Sequence, residues 1–451
     1  ILNASFLRLE DFVPGIGSAD PRHKYFRPVY NASLIIDNIV WDGSWRGFHL
    51  SSIIYHGLAT VLLYMLALML LGEFRVKRKH TVAFVASFFF AVYPLHVESV
   101  SFIAARGDIL AAFFFFLCFI FYIRSYERVL YLIPAAICFY LSFLSKEVAL
   151  AFPIVLVGYD LTSAKIKERV NILKYSVLGL LVVLYFLTRS SSFFGGEPLF
   201  NPEYFTHTDT AGRILESIGL FFNAYLFYFL KLIFPYDLNP FIEANPLSGS
   251  LSTVIAVIVT IGVCAAFVIS IRKKEKFSAL MILWILATLG PAVMIAIFPM
   301  ALTRFSERFV YVPSAAYCIL LAYLIFILSD RVKFYWLGWG LSLVLTVSFI
   351  SVTLTGQRIW TDNITFWKFV VDKNPSYIAP RINLGDALRE GRETDEAIEQ
   401  YGIAWGPGMS GNLKAKTSAA HSLGVLYIDK GNYPEAEKWF KMAYDINDSY
   451  A

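Results

Sequence analysis

Charged and polar side chains that could handle a phosphate or a proton interrupt an otherwise apolar part of the chain. His96, Glu98, Arg106 and Asp108 fall close together between two long apolar runs. Carboxylates serve as general acids or bases, and arginine carries a permanent charge with several N–H donors suited to phosphate. Ionisable groups in apolar surroundings are costly unless they line water or bind a ligand. This segment is therefore the first candidate site.

Further candidates lie beside other apolar runs, and their side chains could hold a phosphate or another polar ligand: Arg27, His49, Lys146, Glu147, Arg304, Glu307 and Arg308. Glu98 and Asp108 flank one turn and could meet there. They would then assist a proton transfer, orient hydroxyl groups of a ligand or bind a divalent cation with His96. The alternative is ordinary ion pairing with Arg106 and Lys146, because buried charges need partners in any case.

Several of these candidates also have a structural alternative. Arg304 and Arg308 could be interfacial anchors, and Arg27, which precedes a proline, could position the first loop. His49 is expected near the mouth of the site, where it could touch a donor. His56 lies on the same helix face and is typical of a buried, hydrogen-bonded histidine between helices. No tight histidine and carboxylate spacing predicts a metal site, so a divalent cation, Mg²⁺ or Mn²⁺, is left open.

The composition indicates an integral membrane protein. Of 451 residues, 57% are hydrophobic, 17% are aromatic and only 16% are charged, which is too apolar for a soluble chain of this length. The sequence has no Walker loop, dinucleotide glycine pattern, Gly-x-Ser-x-Gly or Cys-x-x-Cys. Soluble nucleotide chemistry is therefore not expected. The lipid bilayer is an expected partner and nucleic acid is not, because the basic surplus is concentrated in short loops between apolar runs.

About ten apolar runs predict membrane crossings, and they lie near residues 48–72, 81–95, 109–123, 129–144, 148–159, 172–188, 251–271, 278–299, 309–329 and 334–355. The positive-inside rule places the basic loops between them in the cytoplasm, including Arg75 to Lys79. The stretch at 213–234 breaks the alternation if it crosses once, so we interpret it as an interfacial or re-entrant helix in an extracytoplasmic loop at 190–250.

Two of the predicted hairpins are unusually short. Each leg of the hairpins around Glu98 and around Lys146 has about 15 residues, or roughly 22 Å of helix, against a hydrocarbon core of about 30 Å. Both polar turns are therefore expected below the outer membrane surface, in a wet, charged cavity. The alternative is that the helices run longer and the charges lie at the headgroups.

The end of the chain contains a helical repeat. Leu384, Gly385 and Tyr401 recur as Leu423, Gly424 and Phe440, together with matched small residues. The spacing fits the tetratricopeptide pattern of two antiparallel helices per unit. Such arrays commonly bind peptides or partner proteins, and the alternative is a structural spacer. We expect further repeats beyond Ala451, because the last unit leaves an uncapped apolar edge.

The order of short motifs resembles the transmembrane-and-tetratricopeptide O-mannosyltransferases, with a bacterial relative expected. The motifs are Tyr25-Phe26-Arg27-Pro28, Phe48-His49-Leu50, Pro94-Leu95-His96-Val97-Glu98, Ala105-Arg106-Gly107-Asp108, Leu144-Ser145-Lys146-Glu147, Ser306-Glu307-Arg308-Phe309-Val310-Tyr311 and Arg358-Ile359-Trp360. Each motif is weak alone, but their order together with a repeat tail is specific.

The resemblance implies an all-α fold, with a polytopic GT-C-type transmembrane bundle followed by a soluble tetratricopeptide domain. Residues 1–47 would be the first extracytoplasmic loop, 48–357 the transmembrane domain and 358–451 the extracytoplasmic repeats. The family's acidic pair, which is thought to carry the catalytic base, is expected before Ile1 together with one more helix. Within the chain, Glu98 and Asp108 are the catalytic candidates, and the remaining candidates would bind the donor.

The resemblance also implies a function. The chain would transfer mannose or another hexose from a polyprenyl-phosphate-linked donor to protein hydroxyls, and the repeats would gather the acceptor. The location would be a bacterial inner membrane with the repeats in the periplasm, or the endoplasmic reticulum with the repeats in the lumen. The alternatives are a transporter or flippase for the lipid-linked sugar and a membrane-anchored scaffold. Transporters often contain internal repeats across their spans, and none is found here.

Overall fold

A computed structural model of the chain describes residues 27–193, 210–242, 245–247, 249–298, 303–411 and 413–448. Within these residues all regular secondary structure is helical and no β-strand is present. The chain divides into two compact units, residues 1–353 and 354–451. The prediction of an all-α polytopic membrane protein is confirmed. The predicted domain boundaries at 47/48 and 357/358 stay predictions.

The described residues up to Gln357 contain thirteen α-helices, which we number in chain order. They are α1 Pro28–Trp41, α2 Trp45–Glu73, α3 Lys79–Ala91, α4 His96–Ser101, α5 Arg106–Arg124, α6 Leu132–Phe143, α7 Phe152–Thr162, α8 Val170–Phe193, α9 Thr210–Ile233, α10 Ser250–Arg272, α11 Lys276–Ile297, α12 Tyr311–Arg331 and α13 Tyr335–Gln357.

In the part of the chain that the structure describes, eight helices are long and apolar enough to cross a membrane: Trp45–Glu73, Ile103–Arg124, Val170–Thr188, Ala211–Ile233, Ser250–Arg272, Lys276–Ile297, Glu307–Arg331 and Tyr335–Trp360. Seven of them coincide with predicted crossings. The eighth is α9, at the stretch that we expected to lie in the interface. Its mean hydropathy of 1.2 is the lowest of the eight, because it carries charged and amide side chains among its apolar ones.

The remaining predicted crossings form short helices. Helix α3 has 13 residues and α6 has 12, so they are about 20 Å and 18 Å long at 1.5 Å per residue. Helix α7 has 11 residues. None of the three alone reaches the roughly 30 Å of a hydrocarbon core. The turns that follow these helices carry two of the candidates, Glu98 after α3 and Lys146 after α6. The second leg of the first hairpin is longer than predicted, because α5 has 19 residues, and the depth of the turns in a membrane stays a prediction.

The core of unit 1 is aromatic. Phe115 stacks on Phe152 with ring centroids 3.7 Å apart, and Trp284 packs edge-on against Phe115 at 5.3 Å. These rings join α5, α7 and α11. Helix α3 packs between α2 and α12, so the ends of these three neighbouring helices are fixed relative to one another. The site residues are attached to those ends.

Unit 2 consists of antiparallel helices α14 Asn363–Lys373, α15 Ile378–Glu390, α16 Thr394–Trp405, α17 Leu413–Asp429 and α18 Tyr433–Asp448. A side chain at Gly385 would meet the ring of Tyr401 at 2.7 Å, and one at Gly424 would meet the ring of Phe440 at 2.7 Å. The two helix pairs therefore use the same glycine-to-ring contact at equivalent positions. The connection between the two pairs begins at Gly406, and α17 begins at Leu413.

Candidate functional site

The first part of the site is a buried ion pair at the start of α5. Arg106 is fully buried, and its guanidinium lies 2.6 Å from a carboxylate oxygen of Asp37 in α1. It also donates to Ser52 Oγ at 3.1 Å and to the Phe48 carbonyl at 2.7 Å, both in α2. Arg106 therefore ties α1, α2 and α5 together. Neither predicted carboxylate partner, Glu98 nor Asp108, occupies this position.

The second part is the turn after α6. Lys146 Nζ lies 2.5 Å from Asp108, and the side chains are 10% and 4% exposed. The pair needs the glycine at 107, because a Cβ there would come within 3.0 Å of the Ser145 carbonyl oxygen. Burial lowers the pKa of Lys146 to about 8, Asp108 opposes the shift, and the positive charges of Arg308 and Arg27 add to it. Predicted ion pairing of Asp108 with Lys146 is what the structure shows.

The third part joins two segments that are far apart in the chain. Glu98 in α4 accepts from Ser306 Oγ at 2.9 Å, from the backbone N–H of Arg308 at 3.0 Å and from its guanidinium at 3.2 Å. The Glu98 side chain is 5% exposed and that of Arg308 is 21% exposed. Burial raises the pKa of Glu98, and Arg308 and Ser306 oppose the shift. Glu98 thus holds the segment that carries Arg308.

Arg308 and Lys146 both lie close to one aromatic ring, that of Phe309. The guanidinium carbon of Arg308 is 5.5 Å, and Lys146 Nζ is 5.0 Å, from the centroid of Phe309. Arg27 lies next to the same turn: it pairs with Glu147 at 2.6 Å. A backbone hydrogen bond also joins the start of α1 to the turn after α6, because the N–H of residue 29 donates to the carbonyl of residue 144. Arg27, Lys146 and Arg308 therefore converge at one end of the helices.

Glu307 points to a different partner from its neighbours. Its carboxylate lies 2.5 Å from Lys231 Nζ, and the side chains are 3% and 15% exposed. Lys231 is in the last turn of α9 and also donates to the carbonyls of Tyr236 and Asp237, at 3.2 Å and 2.8 Å. Lys231 lies in the stretch at 213–234 that was interpreted from the sequence as an interfacial or re-entrant helix, and it was not among the predicted site residues.

The histidines are separated from these ion pairs. His96 is 2% exposed and its Nε2 lies 2.8 Å from Ser314 Oγ. His56 contacts Tyr311 Oη at 2.7 Å and the Ala91 carbonyl at 3.1 Å, as expected for a histidine buried between helices. His49 is half-buried, with its ring 5.8 Å from that of the tryptophan one turn earlier. The structure therefore does not place His96 beside Glu98 and Asp108 as a third ligand.

Arg304 is partly buried just before the segment that contains Glu307 and Arg308. Within the described part of the chain, no group of three histidine, cysteine or carboxylate residues could hold a metal ion. Glu98 and Asp108 each lie against a cation instead. A divalent cation at this place is therefore not supported by a ligand set in these residues.

Asp37, Ser306 and Lys231 are the members of these clusters that the sequence argument left out of the site. Ser306 belongs to a quoted motif, so the motif itself was the signal. Lys231 was visible as a charge in an apolar helix, which is a functional indication by default. Nothing in the sequence marked Asp37 as a site residue, because aspartates near loops are commonly exposed to solvent.

Comparison with known proteins finds similarity over most of the chain. "Protein O-mannosyl-transferase F38B6.6" of Caenorhabditis elegans is 27% identical over 396 residues, which is 85% of this chain and 54% of the relative. "Protein O-mannosyl-transferase TMTC3" of Homo sapiens is 24% identical over 470 residues, 95% of this chain and 49% of the relative. The predicted resemblance is confirmed. A shorter region is 35% identical to "Protein O-mannosyl-transferase TMTC1" of Mus musculus over 115 residues, 25% of this chain and 12% of the relative.

The chain spans about half the length of the curated relatives that it matches most extensively. No family model matches the chain, and no solved structure matches it either. These relatives come from Caenorhabditis elegans, Mus musculus and Homo sapiens, and the expectation of a bacterial relative stays a prediction.

Proposed function

We propose that the chain is a GT-C-type membrane glycosyltransferase that moves mannose or another hexose from a polyprenyl-phosphate-linked donor to a serine or threonine hydroxyl of a protein outside the cytoplasm. The observation that carries the proposal is the convergence of Arg27, Lys146 and Arg308 at one end of the helices. The relatives are named protein O-mannosyl-transferases, and this supports the reaction class.

The reaction requires charge stabilisation above all. The acceptor oxygen attacks the anomeric carbon, the bond from that carbon to the phosphate oxygen breaks, and the lipid phosphate departs with an additional negative charge. A base takes the hydroxyl proton. Preorganised cations at the departing phosphate lower the barrier because the charge they bind is larger in the transition state than in the donor.

Arg308 and Arg27 fit the phosphate better than the other cations do. Each side chain is 21% exposed, so each can reach a ligand from its present position. Each now pairs with a carboxylate, and a phosphate offers the same bidentate acceptor geometry. Lys146, at 10% exposure, lies behind them as a point charge that adds to the local positive potential. Arg304, on the same segment as Arg308, is a further candidate for the phosphate.

The carboxylates have a different role in this proposal. Glu98 holds Arg308 by its side chain and its backbone N–H, and Asp108 holds Lys146. We assign both to orienting these cations, with the sugar hydroxyls as additional partners when the donor is bound. Arg106 has no exposed surface, so we assign it to supporting the first loop through Asp37.

Unit 2 would gather the acceptor. Its repeated antiparallel helix pairs are of the kind that bind extended peptides or partner proteins. The repeats and the site would then lie on the same, extracytoplasmic side, in the periplasm or in the lumen of the endoplasmic reticulum. His49, partly exposed near the start of α2, would touch the donor from the mouth of the site.

The test is transfer of radiolabelled mannose from a polyprenyl-phosphate-linked donor to a serine- and threonine-rich peptide by the full-length protein, called the full chain below, in detergent or liposomes. Arg308→Ala should lower transfer by about 10²-fold or more, the usual cost of removing one preorganised donor. Glu98→Gln should lower it by a smaller factor, because Arg308 stays in place but is less well oriented. Equal transfer by both variants and the wild type would contradict the assignment of the site.

The matched control is Arg78→Ala. Arg78 pairs with Asp330 at 2.8 Å and lies at the opposite ends of α3 and α12 from Glu98 and Arg308, so its loss should leave transfer unchanged. Binding of the lipid-linked sugar with no transfer would favour a transporter or flippase. Absence of both would favour a scaffold.

A further inference from the structure

The segment from Phe305 to Val310 carries Arg308 and is held from several directions. Phe305 forms an antiparallel bridge with Ile242, and the Phe227 ring of α9 packs on the Phe305 ring at 5.3 Å. Residues 307–310 then form a 3-10 turn that leads into α12. The position of this short segment therefore depends on contacts from elsewhere in the chain, since the turn alone is too short to fix it.

Consecutive side chains of the segment bind different partners. Ser306 has extended backbone angles, φ −153° and ψ 136°, and successive side chains of extended backbone point to opposite sides. Glu98 binds Ser306 and Arg308, whereas Glu307 between them pairs with Lys231. The backbone around Arg308 is thus fixed from two sides.

Lys231 is well placed to act as a fixed anchor. Its ammonium group has three N–H donors, and they face Glu307 and the carbonyls of Tyr236 and Asp237. The same end of α9 is tied to the loop before α4, because Tyr93 Oη donates to the Leu232 carbonyl at 2.5 Å. Helix α9 therefore connects the segment of Arg308 with the loop that leads to Glu98.

We propose that Lys231 is a positioning residue, which aims Arg308 at the donor phosphate by holding Glu307. The proposal rests on the proposed function, because it takes Arg308 as the phosphate-binding residue. It adds a helix that the sequence argument assigned to the membrane interface. Lys231 itself binds no substrate in this scheme and acts only through the segment that it holds.

The first experiment compares Lys231→Met and Lys231→Arg in two assays on the full chain: binding of a fluorescent polyprenyl phosphate, and mannose transfer. Lys231→Met should reduce both, with transfer falling on the order of 10²-fold, the effect of misplacing a reacting group by about 1 Å. Lys231→Arg keeps the charge and should restore most of the loss. Unchanged binding and transfer in Lys231→Met would overturn the proposal.

A double-variant cycle separates positioning from general stability. In an Arg308→Ala background, adding Lys231→Met should cause no further loss of phosphate binding, because the residue through which it acts is already gone. A second, equally large loss would mean that Lys231 acts independently of Arg308, which overturns the proposal. The double variant Lys231→Met/Glu307→Gln removes both buried charges and should recover folding yield while binding stays weak. Recovery of binding together with yield would indicate a purely structural pair.

The matched control is Lys165→Met. Lys165 pairs with Glu73 at 2.9 Å and is 24% exposed, and the pair joins the end of α2 to the loop after α7, away from Arg308. Its loss should leave polyprenyl phosphate binding unchanged. If the wild type binds polyprenyl phosphate through Arg308 but transfers no sugar, the proposed function fails and the binding assay still decides the role of Lys231. If the wild type binds no polyprenyl phosphate, both proposals are overturned.

Discussion

Removal of the Arg106 side chain should destabilise unit 1 far more than removal of an exposed arginine. The guanidinium is 0% exposed and its partner Asp37 is 3% exposed. In Arg106→Met the carboxylate would remain buried without its cation, and breaking a buried pair in this way costs about 3–5 kcal/mol. The Phe48 carbonyl would lose its 2.7 Å hydrogen bond as well, which adds about 1 kcal/mol or more.

The assay is denaturant titration of the purified full chain in mixed micelles, with the free energy of unfolding of unit 1 followed by tryptophan fluorescence. Arg78→Met is the comparison, because Arg78 and Asp330 form an ion pair of similar length with 32% and 35% exposure. An ion pair that is as exposed to solvent as this one contributes about 0–1 kcal/mol to the free energy of unfolding. We expect a difference of at least about 2 kcal/mol between the two arginine variants, following from these ranges.

The double variant Arg106→Met/Asp37→Leu tests whether the lost stability comes from the buried carboxylate without a partner. It removes both charges together, so most of the lost stability should return. If Arg106→Met alone were as stable as Arg78→Met, Arg106 would not be the buried tie between α1, α2 and α5. If the double variant were no better than Arg106→Met, the loss would come from packing and hydrogen bonds, and not from an uncompensated carboxylate.

Three further predictions follow from contacts of single residues. Gly107→Ala should lower mannose transfer at least about 10-fold with little change in folding yield, because a Cβ would press on the facing carbonyl at 3.0 Å and displace the turn that carries the lysine. Asp362→Ala should cost about 1 kcal/mol in α14, measured by amide hydrogen exchange, because the Asp362 carboxylate accepts from the Thr365 N–H at 2.8 Å. That hydrogen bond lowers the pKa of Asp362 below its ordinary value of 3.8. The stabilisation is therefore present above about pH 4 and is lost as the pH falls through the folded-state pKa. Below that pKa, the wild type and Asp362→Ala should exchange their amide hydrogens at the same rate. Gly385→Ala should increase protease sensitivity of unit 2, because the new methyl group would lie 2.7 Å from the Tyr401 ring, and overpacking costs about 1–3 kcal/mol.

The helical architecture was predictable because apolar composition and length decide it locally. Seven predicted crossings coincide with long apolar helices, since a run of about 20 apolar residues has few stable forms besides a spanning helix. Helix α9 was the exception. Its lysine and asparagine reduce hydropathy, and only the structure shows that Asn223 donates to Thr253 of α10 and that Lys231 pairs with Glu307. Polar side chains that pair with neighbouring helices do not prevent a helix from packing into the bundle.

The short helices were also predictable in outline. Counting residues between basic loops predicted that the turns after α3 and α6 lie below the outer membrane surface, which stays a prediction. The charged side chains on those turns are buried in the structure, with exposures of 5% for Glu98 and 10% for Lys146. Which charges pair was predictable only for Asp108, which pairs with Lys146 as the sequence suggested. Sequence proximity suggested Arg106 for Glu98 or Asp108, whereas Arg106 lies with Asp37 and Glu98 lies with Arg308.

Which charged side chains meet depends on where the helix ends lie. The positions of the helix ends depend in turn on packing over the whole bundle. Asp37 reaches Arg106 because α1 lies against the ends of α2 and α5, and Glu98 reaches Arg308 because α4 lies against the turn before α12. A sequence records which residues are charged but not which helix ends meet. It follows that exchanging charges within one pair, such as Glu98 and Arg308, tests the bundle geometry, whereas single substitutions test the chemistry. Motifs therefore indicated most of the candidate residues, and the through-space pairs had to come from the fold.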